Sequence, residues 1–163
     1  MEGSEIMKKQ SAGILLYRMM NKKLEVFLVH PGGPFWKNKD VGAWTIPKGE
    51  FDGNETALDA AVREFREETG HVLAGSFHAL APIRQKGGKQ VFAWAVAGDL
   101  DPATIVSNTF EMEWPPRSGR KQTFPEVSKG AWFDLETAAQ IINPAQTALL
   151  EELNNSITFP DGK

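Results

Sequence analysis

Three glutamates, Glu64, Glu67 and Glu68, stand at relative positions i, i+3 and i+4 within the stretch 49–72, GEFDGNETALDAAVREFREETGHV. On a helix of about 3.6 residues per turn, that spacing puts all three on one side. Leu58, Ala61, Val62 and Phe65 form a stripe on the same helix, and the glutamates fall on the flank beside it. One side can bury itself, while the adjacent side carries three negative charges in a row at the edge of the core. Like charges at i, i+4 destabilise a helix when unpaired. A hard divalent cation removes that cost, and magnesium with a phosphate-bearing substrate is the usual case. The plain alternative is a solvated acidic face, which charge runs of this kind commonly form.

The flanks fit a helix built to present these groups. Asn54 or Glu55 can start it, just after Gly53, and Gly70 can end it in a left-handed cap. Pro47, Lys48 and Gly49 predict a tight loop feeding the helix. Taken whole, the pattern is Gly49, five residues, Glu55, seven residues, then Arg63-Glu64-Phe65-Arg66-Glu67-Glu68-Thr69-Gly70. It resembles the signature box of the Nudix hydrolase family, G-x5-E-x7-R-E-U-x-E-E-x-G-U with U apolar. The one departure is the last position, where His71 replaces an apolar residue and Val72 follows. It falls at the helix exit and bears on local packing more than on the carboxylates.

Composition bounds the rest. A chain of 163 residues with 41% hydrophobic and 24% charged residues is read as one globular domain, 1–163. A net charge of −3 gives no electrostatic support to a stable nucleic-acid complex. The absence of cysteine excludes disulfides, thiol catalysis and cysteine metal sites. No apolar run suits a signal peptide or a membrane span, so a cytoplasmic protein without a membrane partner is the expectation. Monomer and homodimer both stay open.

In chain order, the polar stretch Met1 to Gln10 is expected to fray. Ala12 to Met20 and Leu24 to His30 read as strands joined by a turn at Asn21-Lys22-Lys23. The Gly- and Pro-rich stretch Pro31 to Ala43 is a loop carrying Phe35, Trp36, Lys37 and Lys39, suited either to ligand binding or to covering a core edge. A short strand, Trp44 to Ile46, leads to Pro47. Ser76 to Gln85 and Lys89 to Ala97 read as a hairpin around Gly87-Gly88. Phe92 and Trp94 share one face of its second strand. The core is their simpler use, and stacking an adenine is the other. Ile105 to Trp114 is a strand, and Pro115 to Gln122 is a basic loop with Arg117, Arg120 and Lys121. Ala131 to Asp134 is a short strand ending in a helix cap, and Leu135 to Ile142 is a helix. Asn143-Pro144 opens a last helix to about Leu153.

The resemblance implies an α/β/α sandwich with a mixed sheet and the box as a loop–helix–loop over 49–72. It implies Glu64, Glu67 and Glu68 as metal ligands, magnesium as the cofactor with manganese able to substitute, Arg63 orienting the carboxylates and Glu55 supporting them. The form WxxPKG at Trp44–Gly49 resembles members that act on long phosphate chains, in which Lys48 faces the phosphates; otherwise Lys48 is a solvated charge. Glu126, six residues before Trp132, resembles a glutamate near the metals in diadenosine tetraphosphate hydrolases and would join the ligands; its alternative is a surface carboxylate. The implied activity is hydrolysis of a phosphoanhydride in a nucleoside diphosphate linked to another group, with Lys48 and the 117–121 loop on the remaining phosphates. A small-molecule dinucleoside polyphosphate is the preferred substrate. A nucleoside diphosphate sugar, a nucleoside triphosphate, an RNA 5′ end and a non-catalytic nucleotide sensor are the alternatives.

Overall fold

A computed structural model describes residues 9–157, so the expected fraying over 1–8 lies outside the described residues. The central strand is β1 (Gln10–Met20), buried from Ser11 to Leu16 without interruption. Both of its faces are covered, as its unbroken apolar run demands. Asn21 and Lys22, at φ 52° and 68°, turn the chain into β2 (Lys23–Pro31). Positive φ at both central residues is the geometry that matches the twist of two hairpin strands.

The segment after the Gly-rich loop departs from expectation. Trp44 to Ile46 is not a strand: Thr45 bridges Val29 and Trp44 bridges Ile142 as isolated contacts. Pro47 has no N–H to continue a ladder there, although its carbonyl accepts from Ile14 N at 3.1 Å. The ladder instead resumes in β3 (Lys48–Phe51), where a loop was expected, antiparallel to the first residues of β1. Helix α1 (Ala57–Thr69) follows.

The expected strand Ser76 to Gln85 is two short pieces, β4 (His78–Ala79) and β5 (Ile83–Arg84), parted around Pro82. Both pair antiparallel with β6 (Gln90–Ala97). Gly87 and Gly88, at φ 85° and 82°, lie in a 3₁₀ turn rather than a two-residue hairpin. Strand β7 (Thr109–Glu113) is shorter than expected, and β8 (Lys121–Pro125) takes Lys121 and Gln122 out of the expected loop. These two form a separate two-stranded sheet. Strand β9 (Val127–Asp134) begins four residues before the expected Ala131. Asp134 caps α2 (Leu135–Ile141), accepting from Thr137 N at 2.8 Å. Asn143-Pro144 opens a 3₁₀ turn, and α3 starts only at Thr147 and runs to Ser156.

The main sheet runs β4-β6-β1-β2-β9, with β3 added to β1 and β5 to β6. Only β1 and β6 run parallel, so the sheet is mixed. Ala12, Ile14, Leu16, Phe27 and Val29 face α1 through Ala60, Ala61 and Phe65. Leu15, Leu24, Val26 and Leu28 face α2 and α3 through Ala138, Leu149, Leu150 and Leu153. The result is the α/β/α sandwich expected. No helix among the described residues is long and apolar enough to cross a membrane.

Candidate active site

The carboxylates sit where α1 meets β3. Thr56, rather than Asn54 or Glu55, caps the helix, its hydroxyl accepting from Asp59 N at 3.1 Å. That leaves Glu55 free for another partner. Gly70 ends the helix at φ 81°, its N–H donating to Arg66 O at 2.7 Å. At the departing position, Thr69 is fully buried, its hydroxyl donating to Phe65 O, and the His71 ring bonds Thr104. Val72 does not replace the missing apolar residue, since it is exposed.

The buried side of α1 is turned toward the glutamates relative to the expected stripe. Ala60, Ala61, Glu64, Phe65 and Thr69 are buried, while Leu58 and Val62 are half-buried. The small side chains of Ala60 and Ala61 let the helix lie close to the sheet. Glu64 therefore faces inward, with its side chain 10% exposed, and Glu67, at 30%, stays on the flank. The Glu64 carboxylate occupies the space above Gly49, where an added Cβ would come 2.0 Å from Oε1. That close approach explains the glycine at this position.

Arg63 binds the acidic groups together. Its Nε and Nη2 donate to the Glu55 carboxylate, the closest contact being 2.6 Å. Its Nη1 donates to Glu64 Oε2 at 2.9 Å and to Glu67 Oε2 at 3.2 Å. The fork geometry of guanidinium suits this bridging task, which an ammonium would perform less well. The bonds to Glu55 above all raise the Arg63 pKa further, so it stays charged.

The electrostatics are those of crowded acids. Burial first, and the neighbouring Glu64 charge second, push Glu68 up to about 8, against the pull of Lys48. Burial also raises Glu64, offset by Arg63. Lost hydration and the Glu67 charge raise Glu126. Glu126 in turn acts on Glu64 and Glu68, so the structure brings all four expected carboxylates into one electrostatic cluster. Lys48 joins them. Burial lowers its pKa, Lys89 adds to that, and Glu68 and Glu64 act in the opposite sense.

Glu126 reaches this cluster through a residue that sequence reasoning missed. Asn108 N donates to Glu67 O at 2.8 Å, and Asn108 O accepts from Glu126 N at 2.8 Å. The Ser107 hydroxyl accepts from Val127 N at 3.0 Å. These two residues tie the end of α1 to the start of β9. The signal in the sequence is a polar pair breaking the apolar pattern of the strand expected from Ile105. Gln146 was missed as well. It is fully buried, its Oε1 accepting from Ile46 N at 3.0 Å and its Nε2 donating to Thr45 Oγ1 at 2.8 Å and to Gln85 Oε1 at 3.0 Å. It holds the strand-like segment that delivers Lys48.

The remaining expected residues lie elsewhere. Trp94 packs in the α1-side core, and Phe92 stands edge-on to Phe51 with centroids 6.2 Å apart. Arg117 and Arg120 are exposed at the outer end of the β7–β8 hairpin, and Lys121 is exposed at the start of β8. Five residues separate Lys121 from Glu126, about 16 Å of strand at about 3.3 Å per residue.

The cluster suits a cation in kind, since it offers four oxygen-donor carboxylates, and burial and neighbouring charge raise the proton affinity of Glu64, Glu68 and Glu126. Among the described residues no three Asp, Glu or His side chains are gathered as a ligand sphere, and Arg63 holds oxygens of Glu64 and Glu67. A hard divalent ion would take those oxygens by relaxing the Arg63 contacts, with Glu68 giving up its proton.

Residues 7–153 match the model of the NUDIX domain. An 8-oxo-(d)GTP phosphatase of Mycolicibacterium smegmatis is 41% identical over 78 residues, covering 45% of this chain and 23% of that protein. An RNA pyrophosphohydrolase of Bartonella henselae is 31% identical over 116 residues, covering 61% of each. The chain spans only 23% and 33% of the length of the first two curated relatives it matches. Among solved structures, a Caenorhabditis elegans Ap4A hydrolase in a binary complex superposes with a TM-score of 0.61 at 25% identity, over 90% of this chain and 96% of that one. The NUDIX domain of Shewanella oneidensis NrtR, complexed with ADP ribose, gives 0.67 at 17% identity, over 97% and 94%, a likeness of fold.

Proposed function

The chain belongs to the NUDIX family, and we propose that it hydrolyses a phosphoanhydride in a nucleoside diphosphate linked to a further group, with magnesium as the cation and a dinucleoside polyphosphate as the preferred substrate. The observation that carries this reading is Arg63 tying Glu55, Glu64 and Glu67 together where Glu64 lies over Gly49, with Glu68, Glu126 and Lys48 within electrostatic reach. The relatives named above, an 8-oxo-(d)GTP phosphatase, an RNA pyrophosphohydrolase and an Ap4A hydrolase, share attack on a nucleoside-bearing phosphate chain.

The reaction adds water at phosphorus and breaks a bridging P–O bond. A divalent cation, when bound, neutralises phosphate oxygens and makes water more acidic. The chain's own groups do the rest. Glu64, Glu67 and Glu68 would hold the cation, and Arg63, anchored on Glu55, keeps the Glu64 and Glu67 carboxylates in place until it binds. Glu126 is the exposed member of the cluster and is not held by Arg63, which suits it to take the proton from the attacking water. Lys48 faces the phosphates and offsets the charge that builds on them. Burial, and Lys89 after it, lower its pKa.

A screen of nucleotide substrates with and without magnesium tests the proposal, run on wild type and Glu67→Gln. The amide keeps shape and loses charge. Turnover is expected to fall by more than the about 10–100-fold seen when outer-shell partners of a metal are removed, with the folded state retained. Wild-type rates in Glu67→Gln at saturating magnesium would remove Glu67 from the site.

A further inference from the structure

Past Glu126, the structure opens a second charged cleft. It has a volume of about 290 Å³ and is walled by His30, Pro31, Gly33, Lys37, Ser128 and Lys129. That is near the lower end for small-molecule sites, room for phosphoryl groups rather than a whole nucleotide.

Three features give the cleft its direction and its chemistry. First, it begins where the carboxylates end. Gly32 N donates to Glu126 O at 2.9 Å, and Ser128 and Lys129 follow Glu126 by two and three residues. His30, paired with Lys129 across β2 and β9, packs edge-on to Trp44 on the α2–α3 side of the sheet. Lys48 pairs with Gly13 and so leaves β3 on that same side, between the α1-facing pairs Ala12–Gly49 and Ile14. Lys48 and the cleft thus share that face, and Glu126, bonded through its backbone to Gly32, links the cleft to the carboxylates on the α1 side.

Second, the charge is positive and uncommitted. The ion pairs among the described residues involve Arg18, Arg63 and Lys89, and neither Lys37 nor Lys129. Lys129 lines the cleft with its Nζ 5.6 Å from the Trp44 ring centroid, a contact that leaves the ammonium without a carboxylate partner among the described residues. Third, the Ser128 hydroxyl is poorly used by the protein. Its contacts to His30 O, His30 Nδ1 and Pro31 O are 3.3, 3.4 and 3.5 Å, long for a hydroxyl donor. Gly33, at φ 96° with the Phe110 ring 3.1 Å from any added Cβ, lets the loop turn tightly at the rim.

We propose that this cleft is a phosphate subsite, in which Lys37, Lys129 and the Ser128 hydroxyl receive the phosphates of a polyphosphate chain beyond the anhydride being cleaved. The proposal rests on the reading of the carboxylate cluster as the hydrolytic site. It moves the selection for long phosphate chains from the 117–121 hairpin end to the loop between β2 and β3 and the start of β9. An ammonium in contact with phosphate makes a charge-assisted bond, stronger than a neutral one.

The test pairs kinetics with a binding measurement. In the Lys37→Met, Lys129→Met double variant the stems remain and the charges go. The ratio of kcat/KM for diadenosine tetraphosphate to that for ADP-ribose is expected to fall about tenfold, mainly through KM, which corresponds to about 1.4 kcal/mol. Inorganic tripolyphosphate, added to the cation-free protein, is expected to raise the melting temperature of wild type and to lose most of that effect in the double variant. An unchanged ratio, or equal losses on both nucleotides, overturns the subsite. So does a loss confined to RNA carrying a 5′-triphosphate, which would make the cleft an RNA contact. Failure of the hydrolytic reading shows differently, as full turnover in Glu67→Gln, and the tripolyphosphate shift reports on the cleft without any turnover.

Discussion

Two regions bring charge to the same end of the sheet by opposite means. On α1, three glutamates and Arg63 are packed into a few turns of chain, with Glu55 just before the helix and the Arg63 contacts to Glu55, Glu64 and Glu67 all at or below 3.2 Å. Around the cleft, Lys37 and Lys129 come from segments about ninety residues apart and stand more openly. The acidic region is built to hold groups in place before any ligand arrives, and it keeps unfavourable charge close together to do so. The basic region relies on a polyanion to complete it. Rigid positioning belongs where bonds are broken, and adaptable charge belongs where a chain of variable length is gripped.

The largest effect expected from breaking this contrast is in the acidic region. Gly49→Ala puts a Cβ within 2.0 Å of Glu64 Oε1, so Glu64 must move. Activity is expected to drop about 10–100-fold, as for a disturbed metal shell, with about 1–3 kcal/mol lost from stability through overpacking. Kinetics and denaturant unfolding on the purified variant check both. Wild-type activity would mean that Glu64 need not sit above Gly49.

The crowding of the acids also makes a pH prediction. Glu68 is raised from 4.5 to about 8 in the folded protein. A raised carboxylate contributes stability that is fully present below the unfolded pKa and is lost as pH rises through the folded value. Cation-free protein should therefore lose stability from this group between about pH 5 and about pH 8. Magnesium competes with that proton, so the rise in melting temperature at millimolar magnesium should be larger at pH 8 than at pH 6. Thermal melts at the two pH values decide it, and an equal or reversed difference would contradict the assignment of Glu68.

The smallest effect belongs to the hairpin end. Arg117, Arg120 and Lys121 lie about 16 Å of strand or more from Glu126, beyond the screening length of about 8 Å at physiological salt. Replacing all three with alanine should change kcat/KM for diadenosine tetraphosphate by no more than about twofold at that ionic strength. A selective tenfold loss on this substrate would return long-chain selection to the hairpin.

The contrast also explains what could be read from the chain alone. The box is local: Gly49, Arg63 and the glutamates lie within two dozen residues, and helical period places them together. The α/β/α layering was implied by the family resemblance of that box, and the unbroken apolar run of β1 agrees with it. The orientation of α1 followed only in part: Ala61 and Phe65 are buried as expected, but close packing against β1 favoured small Ala60 over Leu58 and Val62. Glu126, Asn108 and Gln146 depend on contacts across 18 to 101 residues. No spacing rule reports those contacts. Arg117, Arg120 and Lys121 drew attention by charge alone, and β8 carried them away from the acids.

The central claim is that these carboxylates hold a divalent cation, and calorimetric titration of magnesium into wild type and Glu67→Gln at pH 8 tests it most directly. Wild type should bind magnesium with proton release, and Glu67→Gln should bind it at least about tenfold more weakly. Equal binding by the two proteins, or none by wild type even with a nucleotide present, would contradict the account.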